Sequence, residues 1–326
     1  MNPIRYHVRH DTRYCYERPV GESHQLLRVT PRTLPGQTRV AHRIDVSPEP
    51  TRMQDFVDSF GNAVRKLHFE ADHAELQIRA ESWVEIEPRT APALAASPPW
   101  DDVREQLAYR AHRHLAPAVL DASAFLFEST DVRLKRDFAD YAARDFGPGV
   151  PLLLAVDALM RRINAEFVFD TKATDVTTPV TEVFATRRGV CQDFAHLMIS
   201  CLRSLGLAAR YVSGYILTRP PPGRPRLVGA DATHAWLSVF CPDPGWVDFD
   251  PTNAVLPDRE HIMIGWGRDF TDVSPVRGVI LGGGDHEPEI AVTVVPEEEF
   301  TGLYADVPMP SLLSGSCANP TSAPPR

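Results

Sequence analysis

The segment RRGVCQDFAHLMISCLRSLG, residues 187–206, decides how this chain is read. After Cys191, the residues Phe194, Leu197, Met198, Cys201, Leu202 and Leu205 recur at steps of three and four, and Gly206 supplies a stop. That spacing predicts a helix that begins at the cysteine. Only Asp193 and Arg203 are charged between Cys191 and Leu205, so the helix is expected to be covered on most sides and central to its domain. A helix N-terminus carries about half a positive charge, which favours a thiolate over a thiol. A cysteine there is either a nucleophile or a small buried hydrophobe, and the segment alone does not choose.

The rest of the chain sets the bounds. At 326 residues it can hold one large domain or two ordinary ones, and 43% hydrophobic with 24% charged residues is the balance of a soluble globular protein. A net charge of −9 and a pI near 5.7 argue against nucleic acid or an anionic membrane as the main partner. The start, MNPIRYHVRHDTRYCYERPV, is polar and strand-like, and nowhere do eighteen apolar residues run together, so a cytoplasmic, soluble chain is expected. The five cysteines (Cys15, Cys191, Cys201, Cys241, Cys317) are odd in number, scattered and without CxxC, indicating neither a disulfide framework nor a zinc site.

Up to residue 92 the pattern is β. RYHVRHDTRYCYE, RVAHRIDVSP and AELQIRAESWVEIEP read as strands, and FVDSFGNAVRKLHFE puts a Gly-Asn turn between two more. A small β-sandwich without catalytic groups is expected over 1–92. The Pro/Ala-rich PRTAPALAASPPW (88–100) marks a boundary. Helical patterns follow in DDVREQLAYRAHRHL, VRLKRDFADYAARDF and PLLLAVDALMRRINAEF, ahead of the Cys191 helix. Then ARYVSGYIL, HAWLSVF and GWVDFDP read as short strands. Beyond residue 255 the signals weaken. ILGGGDHEPE lacks the Lys-Ser or Lys-Thr of a phosphate loop and reads as a turn before a last strand, IAVTVV. Residues 301–326 read as a disordered tail containing Cys317. The catalytic domain is thus expected over 93–300.

A thiolate nucleophile needs a base, and the base an orienting group. GADATHAWLSVF puts His234 at the start of a strand, and PGWVDFDPTNA puts Asp250 at a strand end halted by Pro251. If those strands are antiparallel neighbours, His234 and Asp250 can lie side by side, with Cys191 abutting them. Asp248 is a rival on the same strand face. Asp193, His196 and His234 lack HExxH or similar spacing, so no metal site is expected. His196 is assigned a packing or hydrogen-bonding role, and Cys201 a place in the core. Cys241 has no evident partner group.

Taken together, GVCQDFAHLMISCLRSLGLAARYVSGY, HAWLSVF and GWVDFDPTN, within residues 155–255, resemble the core of the transglutaminase-like superfamily. The resemblance implies an α+β, papain-like core: a central helix carrying the cysteine, packed on an antiparallel sheet. It implies Cys191 as nucleophile and His234, followed two residues on by Trp236, as base. The family's Asp-Pro-Thr is matched at Asp250, which favours that residue over Asp248. The β-rich first region resembles the N-terminal domain of bacterial members. Two departures stand out. No tryptophan lies between Trp100 and Trp236 to serve as the oxyanion donor of animal transglutaminases, and the aspartate-rich calcium loops are missing. The backbone N–H of Cys191 is an available donor, and Gln192 a suggested second. The implied chemistry is acyl transfer on a peptide or protein amide through a thioester, needing no cofactor. Hydrolysis of peptidase or amidase type is the favoured outcome, with transfer to an amine as the alternative. A non-catalytic binding module would show loss of Cys, His or Asp, and all are present.

Overall fold

The computed structural model describes residues 2–112, 114–218 and 233–304, with backbone alone for 301–304. In chain order the elements are β1 (Ile4–Leu27), β2 (Gln37–Ser47), β3 (Arg52–Val57), β4 (Ala63–Phe69), β5 (His73–Ile86), α1 (Trp100–Leu107), α2 (Pro117–Ser123), α3 (Arg136–Ala142) and α4 (Leu152–Glu166). They continue as β6 (Val168–Phe169), α5 (Val180–Thr186), β7 (Arg188–Gly189), α6 (Cys191–Ser204), β8 (Ala209–Ile216), β9 (Thr233–Cys241), β10 (Gly245–Phe249) and β11 (His261–Gly267). The last are α7 (Phe270–Val273), β12 (Val276–Gly282), β13 (Pro288–Pro296) and α8 (Glu297–Tyr304).

The first region is one seven-stranded sheet built on β1. The first half of β1 runs between β5 and β13, and its second half between β4 and β12. Its register with β5 breaks between Cys15 and Val20. Leu67 and Phe69 of β4 meet Leu76, Ile78 and Ala80 of β5 around Val20 and Leu27 of β1. The expected sandwich therefore takes the form of one sheet packing its two halves against each other.

Three sequence expectations need correction here. The first region does not end at residue 92, because β12 and β13 return to it. A 24-residue strand has two long edges, and unpaired edge N–H and C=O groups need partners. Residues 1–92 cover only one edge of each half; the C-terminal strands cover the other. The domain expected over 93–300 accordingly gives up its last strands, and helix α8 runs into the tail expected from 301. The rest of that tail, with Cys317, lies outside the described residues. Finally, Cys15 is disulfide-bonded, while Cys191, Cys201 and Cys241 are free thiols. Spacing along a chain does not fix which cysteines are oxidised.

The second sheet has the order β10-β9-β8-β11 and is antiparallel throughout. Helix α6 packs on one face of it through Phe194, Leu197, Met198 and Cys201, against Ala235, Leu237 and Val239 of β9. From Asp193 to Arg203 every residue of α6 is buried, as the scarcity of charge predicts. The buried Arg203 is satisfied by main-chain acceptors: Nε and Nη2 donate to Ala209 O (3.0 and 2.8 Å), Nη1 to Phe127 O (2.8 Å) and Nη2 to Arg268 O (2.7 Å). The helix ends in a Schellman turn. Gly206 takes φ +81°, and Leu207 N–H donates to Leu202 O at 3.0 Å.

The first sheet lies against the β11 side of the second. Tyr6, Val8, Val84 and Ile86 pack with Tyr215, Ile262 and Ile264. Two side-chain amides complete the outer edge of β11. Gln37 donates to Met263 O (2.7 Å) and accepts from Met263 N (2.8 Å). Asn62 likewise donates to Trp266 O (2.8 Å) and accepts from Trp266 N (3.1 Å). Between them Gly265 has no room for a side chain, since a Cβ would sit 2.5 Å from Asn62 Oδ1. Among the described residues, no helix is long and apolar enough to cross a membrane.

Each amide satisfies two backbone groups that are otherwise orphaned at a buried interface. Gln37→Ala and Asn62→Ala should therefore each cost about 1–3 kcal/mol in denaturant unfolding. Asp55→Asn, in an exposed pair with Arg65, should cost under about 1 kcal/mol. Equal losses at all three sites would refute the edge-capping role.

Candidate active site

The start of α6 is built around Asp193. Its carboxylate accepts from Val190 N–H at 2.8 Å and from the Thr174 hydroxyl at 2.6 Å. This is the acidic half of a capping box; Val190, in the N-cap position, has no side-chain acceptor to supply the other half. The reciprocal approach explains the glycine ahead of the cysteine. A Cβ on Gly189 would lie 2.7 Å from Asp193 Oδ2, so only glycine lets the loop close onto the cap. Cys191 is thereby held in the first turn, half-buried, where backbone amides have no acceptor inside the helix. Burial raises the Asp193 carboxyl above its ordinary value, opposed by the bonds from Thr174 and Val190.

His234 lies near the start of β9, opposite Gly214 of β8. Its Nε2 donates to Asp250 Oδ2 at 2.7 Å, with 7% of the histidine side chain and none of the aspartate side chain exposed. Cys191 lies close enough to act on the same imidazole; with Nε2 committed to Asp250, Nδ1 is the nitrogen left to face the sulfur. Burial alone would lower the His234 pKa, but Asp250 and Cys191 outweigh it and raise it to about 10. Asp250 is depressed well below the carboxylate range. Burial opposes this, and the bonds from His234, His261 and Asn253 overcome it.

The turn after Asp250 wraps its carboxylate. Pro251 ends the strand, and Oδ1 accepts from the amides of Thr252 (2.9 Å) and Asn253 (3.2 Å). Oδ2 accepts from Asn253 Nδ2 (2.7 Å) and from His261 Nε2 (3.1 Å). Asn164 of α4 donates to the carbonyl of Thr252 at 2.8 Å and pins the turn from outside. Asp248, the rival, pairs across the sheet with Ser238, whose hydroxyl donates to it, and faces Arg89 at 3.7 Å. It is spent away from His234.

His261 is the residue that the sequence does not reveal. It opens β11, and its imidazole is buried on the same carboxylate oxygen as His234. Trp236 stands edge-on to it at 5.3 Å. That indole lies over Gly214, where a Cβ would come within 2.3 Å of the ring. The available signal was the strand-like run HIMIGWG, in a stretch where periodicity is weak. The set Asp193, His196 and His234 does not converge. His196 Nε2 accepts from Phe270 N–H at 3.1 Å, and burial lowers its pKa to about 4, so it is a neutral, hydrogen-bonded histidine. Cys201 is fully buried, with its thiol pushed up to about 12 by burial. Cys241 donates to the carbonyl of Asp243. No hydrogen bond to Cys191, His234 or Asp250 comes from residues before 93 among the described residues.

Comparison with known proteins places the chain. Residues 6–85 match the bacterial transglutaminase-like N-terminal region, and residues 141–251 match the transglutaminase-like superfamily. An uncharacterized protein of Mycobacterium tuberculosis is 38% identical over 305 residues, covering 90% of this chain and 93% of its own. A protein-glutamine gamma-glutamyltransferase of Pseudomonas aeruginosa is 38% identical over 133 residues, 37% of this chain and 20% of its own. Among solved structures, a candidate cysteine protease from Cytophaga hutchinsonii superposes with a TM-score of 0.68 at 19% identity, covering 91% of both chains. That likeness is one of fold.

A raised histidine pKa means that its stabilisation is complete below the unfolded value of 6.5 and is lost as pH rises through about 10. A histidine NMR titration should find the His234 proton retained well past neutrality. Asp250→Asn removes the charge and keeps the burial, so the His234 midpoint should fall by about 1–3 units. An unmoved midpoint would show that Asp250 does not hold the proton.

Proposed function

The chain belongs to the transglutaminase-like superfamily, and from that premise we propose that it catalyses cysteine-dependent acyl transfer on amide bonds, with Cys191 as nucleophile, His234 as acid and base, and Asp250 as orienting group. The observation that carries this reading is the buried hydrogen bond from His234 to Asp250, with Cys191 close enough to act on the same imidazole. His234 keeps its proton at neutral pH, so the sulfur faces an imidazolium, the partner that favours attack as thiolate.

The thiolate sulfur bonds to the amide carbonyl carbon, and the oxygen takes the negative charge, with the Cys191 N–H at the α6 N-terminus as one donor. The C–N bond breaks as His234 gives its proton to the leaving amine, leaving a thioester and a neutral imidazole. Water or a second amine then attacks the thioester carbon and gives its proton to His234. The C–S bond breaks, and the thiolate–imidazolium pair is restored. His261 and Asn253 touch none of the reacting atoms. They act as positioning residues by holding Asp250 ionised and aimed at Nε2.

We assign water as the acceptor, giving a peptidase or amidase that needs no cofactor; breadth of chemistry on this fold and the missing calcium loops support that choice. Transfer to an amine has one observation in its favour, the short stretch shared with the Pseudomonas gamma-glutamyltransferase. Incubation with a labelled glutamine peptide, with and without a primary amine, separates the two. Hydrolysis should yield the glutamate peptide in both arms, whereas an amine adduct would select transferase. Failure of Cys191 to label with iodoacetamide ahead of the buried Cys201 would overturn both in favour of a binding module.

Asp250→Asn should lower kcat/KM steeply while preserving the fold; the analogous loss in a serine-protease triad is about 10⁴-fold. Asp248→Asn should change it far less. The alkaline limb of the pH–rate profile should follow His234 and fall near pH 10. A fall near 6.5 would mean that Asp250 does not hold the His234 proton, and a rise through the His234 midpoint that the imidazolium is not the active form.

A further inference from the structure

A cleft of about 1120 Å³ opens on the face of the second sheet away from α6, walled by Phe60, Phe125, Trp246 and Trp266. At its floor is Arg210. Tyr211, the next residue of β8, belongs to the core under α6, so alternation directs Arg210 to the opposite face. Arg210 pairs with Ser238, and His234 with Gly214. Four residues along a strand is about 13 Å, which separates the cleft from the triad.

Arg210 is buried in an unusual way. Only 8% of it is exposed, yet it has no hydrogen-bond acceptor and no ion-pair partner among the described residues, and its Nε is fully buried without a partner. The contrast with Arg203 is direct, since that equally buried guanidinium is saturated by carbonyls. What Arg210 has instead is π-stacking. Trp246 and Trp266, from strands on either side of β8, stand 4.3 and 3.8 Å from its central carbon. Arg32 of the first region covers Trp266 in turn at 3.5 Å. Rings on the faces of a guanidinium leave its N–H edge as the part able to bind. Burial lowers the Arg210 pKa to about 9, so it stays charged at neutral pH.

Two arginines line the cleft, Arg210 and Arg268, and the second is ion-paired. Arg268 is bidentate to Asp272 at 2.8 and 3.0 Å, and Arg32 donates to Asn62 Oδ1 at 2.7 Å. Asp248, whose charge acts on Arg210, is bonded to Ser238. Asp121 lines the cleft and is exposed.

We propose that this cleft binds a carboxylate carried on an aromatic or apolar body, with the N–H edge of Arg210 receiving the carboxylate and the four aromatic walls receiving the body. A planar carboxylate matches the guanidinium fork. Arg210 is the one lining arginine without an ion pair among the described residues, and beside Asp121 it favours one negative charge over the two of phosphate. A small organic acid and the C-terminal carboxylate of a peptide ending in an aromatic residue share this chemistry.

The test is calorimetric titration of the full chain with hydrocinnamate, N-acetyl-phenylalanine, N-acetyl-phenylalanine amide, an acetylated tripeptide ending in phenylalanine, and inorganic phosphate. The carboxylates should bind at least about tenfold more tightly than the amide, the value of one hydrogen bond to a charged group. The preferred source is the one of hydrocinnamate and tripeptide that binds more tightly. Arg210→Gln should abolish the preference for acid over amide. Because that change removes the stack as well, Ala124→Trp supplies an independent arm: Ala124 is an exposed residue on the rim, and an indole there should block binding while leaving Arg210 in place. Equal binding of acid and amide, phosphate binding as tightly as the carboxylates, or no heat with any probe in the millimolar range would overturn the proposal.

Discussion

The Asp250 carboxylate, with none of its side chain exposed, receives His234 from β9, His261 from β11, and Asn253 together with two amides of its own turn. An isolated buried charge is prohibitively costly, and a charge with every lone pair engaged is not. The strands and turn that supply those donors are consequently locked to one another. The carboxylate sits where β9, β11 and the turn after β10 converge, so the geometry of the site and the integrity of the sheet edge depend on the same group. The orienting residue of the proposed mechanism is also a structural tie.

That dependence reaches the first region. The strand carrying His261 has its outer edge closed by Gln37 and Asn62. Those residues are positioned by a sheet that is complete only when β12 and β13 join β1. The first region contributes no group to the line Cys191–His234–Asp250 among the described residues, yet it supports the strand that supports Asp250. The chain passes from the first sheet to the transglutaminase-like core and back. This interleaving makes the two regions one cooperative body rather than modules on a linker.

Two buried arginines show how differently one chain treats the same group. Arg203, inside the core, is neutral in its consequences because carbonyls from three separate segments meet it. Arg210, on the strand that follows α6, is stacked and left without acceptors among the described residues. Desolvating a guanidinium without acceptors costs several kcal/mol unless something else offsets it. Ring stacking offsets part, and a bound anion would offset more.

Much of the core was legible from the residues alone, because it rests on local patterns. The helix at Cys191 follows from three- and four-residue periodicity, its burial from scarcity of charge, and its end from Gly206. The turn at Asp250 follows from Asp-Pro. Cys191, His234 and Asp250 could be singled out because each lies at a punctuated boundary between elements. Tertiary structure alone decided what depends on contacts between distant residues. It brought His261 onto the Asp250 carboxylate from a strand with weak periodicity, and returned residues 276–296 to a sheet begun at residue 4. It also stacked Arg210 between two tryptophans. Sequence determines where the chain turns and which face is apolar, since those are short-range preferences. Which strands become neighbours is set by burying apolar faces and satisfying edges across the whole chain, and no local window contains that information.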